Sequence, residues 1–316
     1  MFDQSFLQEW HNQTTLHPLG LLAIIICGAT MLLVPRRWAL VPMLAIACFV
    51  APAQRIVVLT LDFNLLRVMV LCGWLRLILH HEFKGFRWNV LDTVMCAWVV
   101  CSVVAFSLLY NSLEAVVNRL GFGFDAVGTY FLCRLLIRDW KDLEVFVKSA
   151  AVISVPVAAA FAFERYTGRN IFAIFGGVPE ETLVRGGVLR SQGAFSHPIL
   201  AGSFWAALVP LLLVMWRCGR SGRILAPVGV IGAVVVIIAC ASSTPLISVV
   251  IGIGALLLFP LRRSLRWIRL GAMVGLVGAH LAMIQPVWHL LARINIVPGS
   301  TGWYRFRLID VFYYAL

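Results

Sequence analysis

Ten apolar runs, each near the length of a bilayer crossing, follow one another along this chain. They cover residues 19–34, 38–54, 56–79, 89–110, 122–138, 145–163, 198–216, 224–241, 245–261 and 268–285. A hydrocarbon core asks for about 20 apolar residues per helix. It offers no water to an unpaired backbone, so each crossing segment must satisfy its own hydrogen bonds. The pattern predicts an all-α polytopic membrane bundle of about ten spans, forming one membrane domain over residues 1–316. Composition agrees: 61% of residues are apolar, and 13% are charged against about 25% in soluble domains.

Charge decides what else the chain can be. Its 26 Lys and Arg outnumber 14 Asp and Glu, giving +12. A basic balance of this size can signal nucleic acid, but here the arginines gather in the breaks between apolar runs, which is the membrane pattern. If the N-terminal tail, with Asp3 and Glu9, lies outside, seventeen of the 26 cations fall on the inner side. These are Arg36 and Arg37; Arg67, Arg76, Lys84 and Arg87; Arg134, Arg138, Lys141 and Lys148; Arg217, Arg220 and Arg223; and Arg262, Arg263, Arg266 and Arg269. The tail has no Lys or Arg before Pro18, so it does not read as a cleavable signal peptide. None of the eight cysteines forms a CxxC pair, which argues against a zinc site or a disulfide framework.

The nine cations left outside are the informative ones. Seven fall in two outer loops, 164–197 and 286–316. Topology gives no reason for arginine there, whereas an anionic ligand would, because guanidinium meets phosphate oxygens bidentately. The ordinary reading is that Glu164, Glu180 and Glu181 pair with Arg165, Arg169 and Arg185 as loop salt bridges. Arg190 has no acidic neighbour in sequence, and Arg305 and Arg307 have none before Asp310. Pro198 suits the first position of a helix, and Ser242-Ser243-Thr244-Pro245 reads as a second helix start. Two outward helix N-termini beside arginine would make an oxyanion or pyrophosphate cradle. His197 reads as the cap of the helix at Pro198, with a contact to substrate as the rarer use. Asp125, at the outer start of the fifth run, reads as a cap that could also face the site. Asp62, Asn64 and Arg67 mark either a broken, interfacial stretch or a helix that starts only after Asn64.

These residues carry a resemblance. RSQGAFSHPILAGSFWAALVPL (190–211) is similar to the signature of the O-antigen ligase/polymerase-like membrane family, which transfers lipid-linked glycans in bacteria. NRLGFGFDAVGTYFLCRLLIRDWKDL (118–143), ASSTPLISVVIGIGALL (241–257) and PVWHLLARINIVPGSTGWYRFRLID (286–310) resemble further family segments in the same order. Many members carry Ser-Arg-Gly near 243–245, where this chain reads Ser243-Thr244-Pro245.

The resemblance implies a GT-C-like fold in the bacterial inner membrane and metal-independent glycan transfer without a cofactor. The donor would be a polyprenyl-diphosphate-linked glycan, and the acceptor a hydroxyl of a glycan, lipid or protein. It places Arg190 first on the diphosphate, Arg305 second, and Arg185 and Arg307 in reserve, with His197, Gln192 and Asp125 in support. The family's acting histidine and closing helices would lie beyond residue 316. The alternatives are a non-catalytic polysaccharide transporter or flippase, or an inactive truncated remnant.

Overall fold

The computed structural model describes residues 14–58, 61–83, 85–283, 286–290 and 302–315. Two helices, α1 (Pro18–Leu33) and α2 (Leu40–Phe49), lead into a hairpin of β1 (Arg55–Val58) and β2 (Leu61–Asn64). Then come α3 (Leu65–Leu79), α4 (Val90–Tyr110), α5 (Leu113–Leu136) and α6 (Trp140–Thr167). A long connection carries a second hairpin, β3 (Leu183–Arg185) with β4 (Val188–Arg190). The chain continues through α7 (Pro198–Met215), α8 (Gly219–Ala239) and α9 (Ser243–Leu258). After a 3-10 turn at Phe259–Ser264 come α10 (Leu265–Ala282) and α11 (Gly302–Ala315).

Each of the ten apolar runs carries a helix. Five segments are long and apolar enough to cross a membrane: Val90–Tyr110, Trp140–Thr167, Pro198–Met215, Gly219–Ala239 and the stretch Ser243–Ala282. The molecule is therefore a mostly helical membrane protein.

Three boundaries differ from the sequence reading, each for a local reason. The second run shortens to ten helical residues because Val50 turns to extended backbone. The third run opens as a hairpin, with Arg55 opposite Asn64, since its Ile-Val-Val start suits a strand. Asn64 then caps α3 by accepting from the Arg67 amide at 2.7 Å, which settles the helix start after Asn64. The fifth helix begins at Leu113, well before the apolar run, because Ser112 caps it through the Ala115 amide.

Two cores hold the bundle. Met31, Leu65, Met69, Leu77 and Leu132 join α1, α3 and α5. Phe161, Trp205, Leu212, Val236 and Ala151 join α6, α7 and α8. Small residues let backbones approach, as is common between membrane helices: a Cβ on Gly232 of α8 would sit 2.4 Å from the Ser154 hydroxyl of α6. Helices α7 and α9 run parallel, locked by a reciprocal contact. A Cβ on Gly202 would meet Pro245 at 2.5 Å, and one on Gly252 would meet Pro210 at 2.7 Å.

Both hairpins lie at one end of the bundle, joined where Gln54 Nε2 donates to the Phe175 carbonyl at 3.0 Å. We call it the hairpin end. The starts of α3, α7 and α9 share it. The opposite end holds short turns and dense ion pairing. There Asp142 meets Arg36 at 2.9 Å and Arg37 at 3.3 Å, the buried Arg76 meets Glu82 at 3.0 Å, and Asp92 meets Arg134 at 3.2 Å. Arg76 also donates to the Met31 and Val34 carbonyls at 2.6 and 2.7 Å, filling the empty acceptors at the end of α1.

Arg67 belongs to the hairpin end, not to the inner group. It occupies the first turn of α3 beside the hairpin, a full helix away from Arg76.

Candidate functional site

The site is built from the last turn of α6. Glu164 is 1% exposed, and its carboxylate turns toward the long connection rather than toward an arginine. It accepts from the Gln192 amide at 3.0 Å, the Gly193 amide at 2.8 Å and the Thr182 hydroxyl at 3.4 Å. Gly193 sits at φ +57°, in the left-handed region that favours glycine. A Cβ there would lie 2.3 Å from the Phe161 ring. Asn170 Nδ2 donates to the Gly193 carbonyl at 2.8 Å. On the other side, the Ser191 amide donates to Ala239 O at 3.0 Å and its hydroxyl to Phe161 O at 3.3 Å. Residues 190–193 are thus pinned between the ends of α6 and α8.

Pinning the backbone buries Arg190, which is 4% exposed. Its Nε donates to the Cys240 carbonyl at 3.3 Å. Cys240 caps α8 at its C-terminus, where carbonyls lack helical partners and the dipole is negative. Among the described residues this is the one side-chain hydrogen bond of Arg190, and no carboxylate pairs with it. Buried cations are normally paired, so the open fork of this guanidinium is the anomaly of the structure. Burial lowers its pKa, and the neighbouring Arg185 adds to the effect.

His197 caps α7. Its Nδ1 accepts from the Ile199 amide at 3.1 Å, which in the neutral ring leaves the proton on Nε2. Burial first, then the charges of Arg190 and Arg185, hold its pKa below the usual histidine value. His17 caps α1 through the Leu19 amide in the same way, again ahead of proline. Gln192 is buried; its backbone is held by Glu164, and its side-chain amide has no partner among the described residues. The start of α9 lies alongside, through the contact of Gly202 with Pro245. Two parallel helix N-termini, Arg190 and Arg185 therefore share one corner, and the one buried carboxylate nearby is occupied by backbone amides.

The remaining expected residues fall elsewhere. Asp125 is neither a cap nor part of this corner. It lies inside α5, where Arg67 grips it through two bonds of 2.8 and 2.7 Å. The expected start of the fifth span was misplaced, so a mid-helix position looked like a helix end. The loop salt bridges also differ. Among the described residues, Glu164, Glu180 and Glu181 form no ion pair with Arg165, Arg169 or Arg185. Arg165 instead donates to the Leu189 carbonyl, and Glu180 accepts from the Asn170 amide through its backbone at 2.8 Å.

Arg307 lies exposed on α11, and the side chain of Arg305, on the same helix, lies outside the described residues. Glu164, read from the sequence as a loop salt bridge, is the residue whose role sequence reasoning missed. Its signal was there to see: a lone acid at the end of a long apolar run. Among the described residues no group of His, Cys, Asp and Glu is arranged to hold a metal ion. No family model, no curated protein and no solved structure matches this chain.

Proposed function

We propose that this chain is a glycan transferase of the O-antigen ligase/polymerase type, embedded in the bacterial inner membrane with its hairpin end outward. In this reading helices α1 to α10 are ten GT-C-like crossings and the N-terminal tail lies outside. One observation carries it: Arg190 is buried beside two parallel helix starts, with no carboxylate to neutralise it. A polyprenyl diphosphate is the anion that suits such a place, since its tail would lie in the bilayer while its charge meets the guanidinium fork. An acceptor hydroxyl on a glycan, lipid or protein attacks the anomeric carbon. The bond from that carbon to the phosphate oxygen breaks, the diphosphate leaves with the electron pair, and the hydroxyl proton passes to the departing diphosphate. Arg190, with Arg185 behind it, stabilises the charge that develops on the leaving oxygen. In this reading Gln192 supports the same group, and His197 orders the helix start. Arg305 and Arg307 are reserve ligands on α11.

The test is transfer of lipid-linked polysaccharide in cells whose own copy is deleted. Arg190→Ala should cut transfer about a hundredfold, the usual scale for losing one charge-stabilising donor, with Arg190→Lys intermediate. Normal transfer by Arg190→Ala at equal membrane abundance would remove Arg190 from the reaction.

A further inference from the structure

The bundle end opposite the hairpins is charged in two different ways. On the side of α1 to α6 several cations are held by acids, Arg36 and Arg37 by Asp142, Arg76 by Glu82 and Arg134 by Asp92. The side of α7 to α10 has no such answer, because no Asp or Glu occurs between Glu181 and Asp310. The twelve arginines in that stretch account for the whole net charge of +12, and the rest of the chain balances fourteen acids against fourteen cations.

Seven of those arginines sit in two places. Arg217, Arg220 and Arg223 flank the turn from α7 to α8, and all are exposed. Arg262, Arg263, Arg266 and Arg269 line the turn from α9 to α10, also exposed. The parallel register of α7 and α9, fixed by Gly202 on Pro245 and Pro210 on Gly252, brings the two turns to the same end of the bundle. Exposed Trp216, Phe259 and Trp267 stand among the arginines, and Arg262 lies 4.4 Å from the Phe259 ring centre. Helix α9 above is apolar and outward-facing, with Ile251 and Leu257 exposed.

Guanidinium forks placed at the level where exposed tryptophan meets exposed aliphatic surface match one partner. We infer that this face is a binding surface for the anionic phospholipid headgroups of the leaflet at that end. Arginine binds phosphodiester oxygens bidentately, tryptophan seats at headgroup depth, and the lack of carboxylates leaves these guanidinium groups free to engage lipid. The α1 to α6 side, where Asp142, Glu82 and Asp92 hold part of the cationic charge, should show a weaker preference. Acidic proteins or nucleic acid would need charge but not the apolar shelf above it.

The experiment is native mass spectrometry of the intact purified chain, released from nanodiscs of phosphatidylethanolamine mixed with phosphatidylglycerol. Retained phosphatidylglycerol should outweigh phosphatidylethanolamine. Changing Arg262, Arg263 and Arg266 together to Gln should reduce its retention by about fivefold for each arginine that engages. Arg37→Gln, which removes a cation already paired with Asp142, should leave it unchanged. A melting curve on each variant separates lost binding from lost fold. If the triple variant fails to fold, the wild-type chain still decides by its ratio of retained lipids and the sensitivity of that ratio to salt. Equal retention of both lipids by the wild type, or unchanged retention in a folded triple variant, would overturn the assignment.

Discussion

Replacing Glu164 by Gln tests whether the candidate site is held together as described. The carboxylate is 1% exposed and receives two backbone amides, from Gln192 at 3.0 Å and Gly193 at 2.8 Å. Hydrogen bonds to a charged group contribute about 1.5–3 kcal/mol each, and a buried donor left without an acceptor costs a similar amount. Glutamine keeps one oxygen and turns an NH2 group against the other amide, so one bond is lost and two donors face each other. The expected cost is about 2–4 kcal/mol. The Thr182 hydroxyl, at 3.4 Å, is near the limit of a hydrogen bond. Thr182→Val should therefore cost under about 1 kcal/mol. Hydrogen exchange of the purified protein reads the effect locally. The Gln192 and Gly193 amides should exchange faster in Glu164→Gln, with melting several degrees lower, while Thr182→Val stays close to wild type. If both amides keep their protection in Glu164→Gln, Glu164 does not hold the segment that buries Arg190.

Two further outcomes follow from the same geometry. His197 has a pKa held below 6.5 by burial and by Arg190 and Arg185. On acidification the unfolded chain takes up a proton at 6.5 before the folded one does, so stability should fall from that pH down to the folded pKa. Arg190→Ala should raise the histidine pKa toward 6.5 in an NMR titration; an unmoved titration would mean that the two residues are not electrostatic neighbours. Gly202→Ala places a Cβ 2.5 Å from Pro245 and should cost about 1–3 kcal/mol by overpacking. Gly271→Ala, with nothing within 4 Å, should melt like wild type, and equal behaviour of the pair would contradict the parallel packing of α7 and α9.

The helices were readable because lipid demands long apolar runs, and each of the ten runs carries one. Helix ends were less readable. The segment from Arg55 to Asn64 is apolar enough to pass for helix, and only pairing across the hairpin makes it strand. Asp125 looked terminal because α5 starts in polar sequence, where hydropathy is silent and the Ser112 cap decides. The corner around Arg190 was legible in part. Proline at helix starts marked α7 and α9, and an arginine without acidic neighbours marked itself. The carboxylate of Glu164 was misread because charge pairing is the default expectation for an acid near arginines. Its true partners are backbone amides, which leave no trace in the order of residue types.

The glycine and proline exchange between α7 and α9 has a mechanical consequence. Gly202 receives Pro245 near one end of the pair, and Gly252 receives Pro210 near the middle. A sliding displacement of one helix along the other would drive both rings out of their notches at once. A tilt about the contact line disturbs them far less. Any opening of the Arg190 corner is therefore expected as a rocking of α9 against α7, with the arginine-lined turns at the far end swinging as the counterweight.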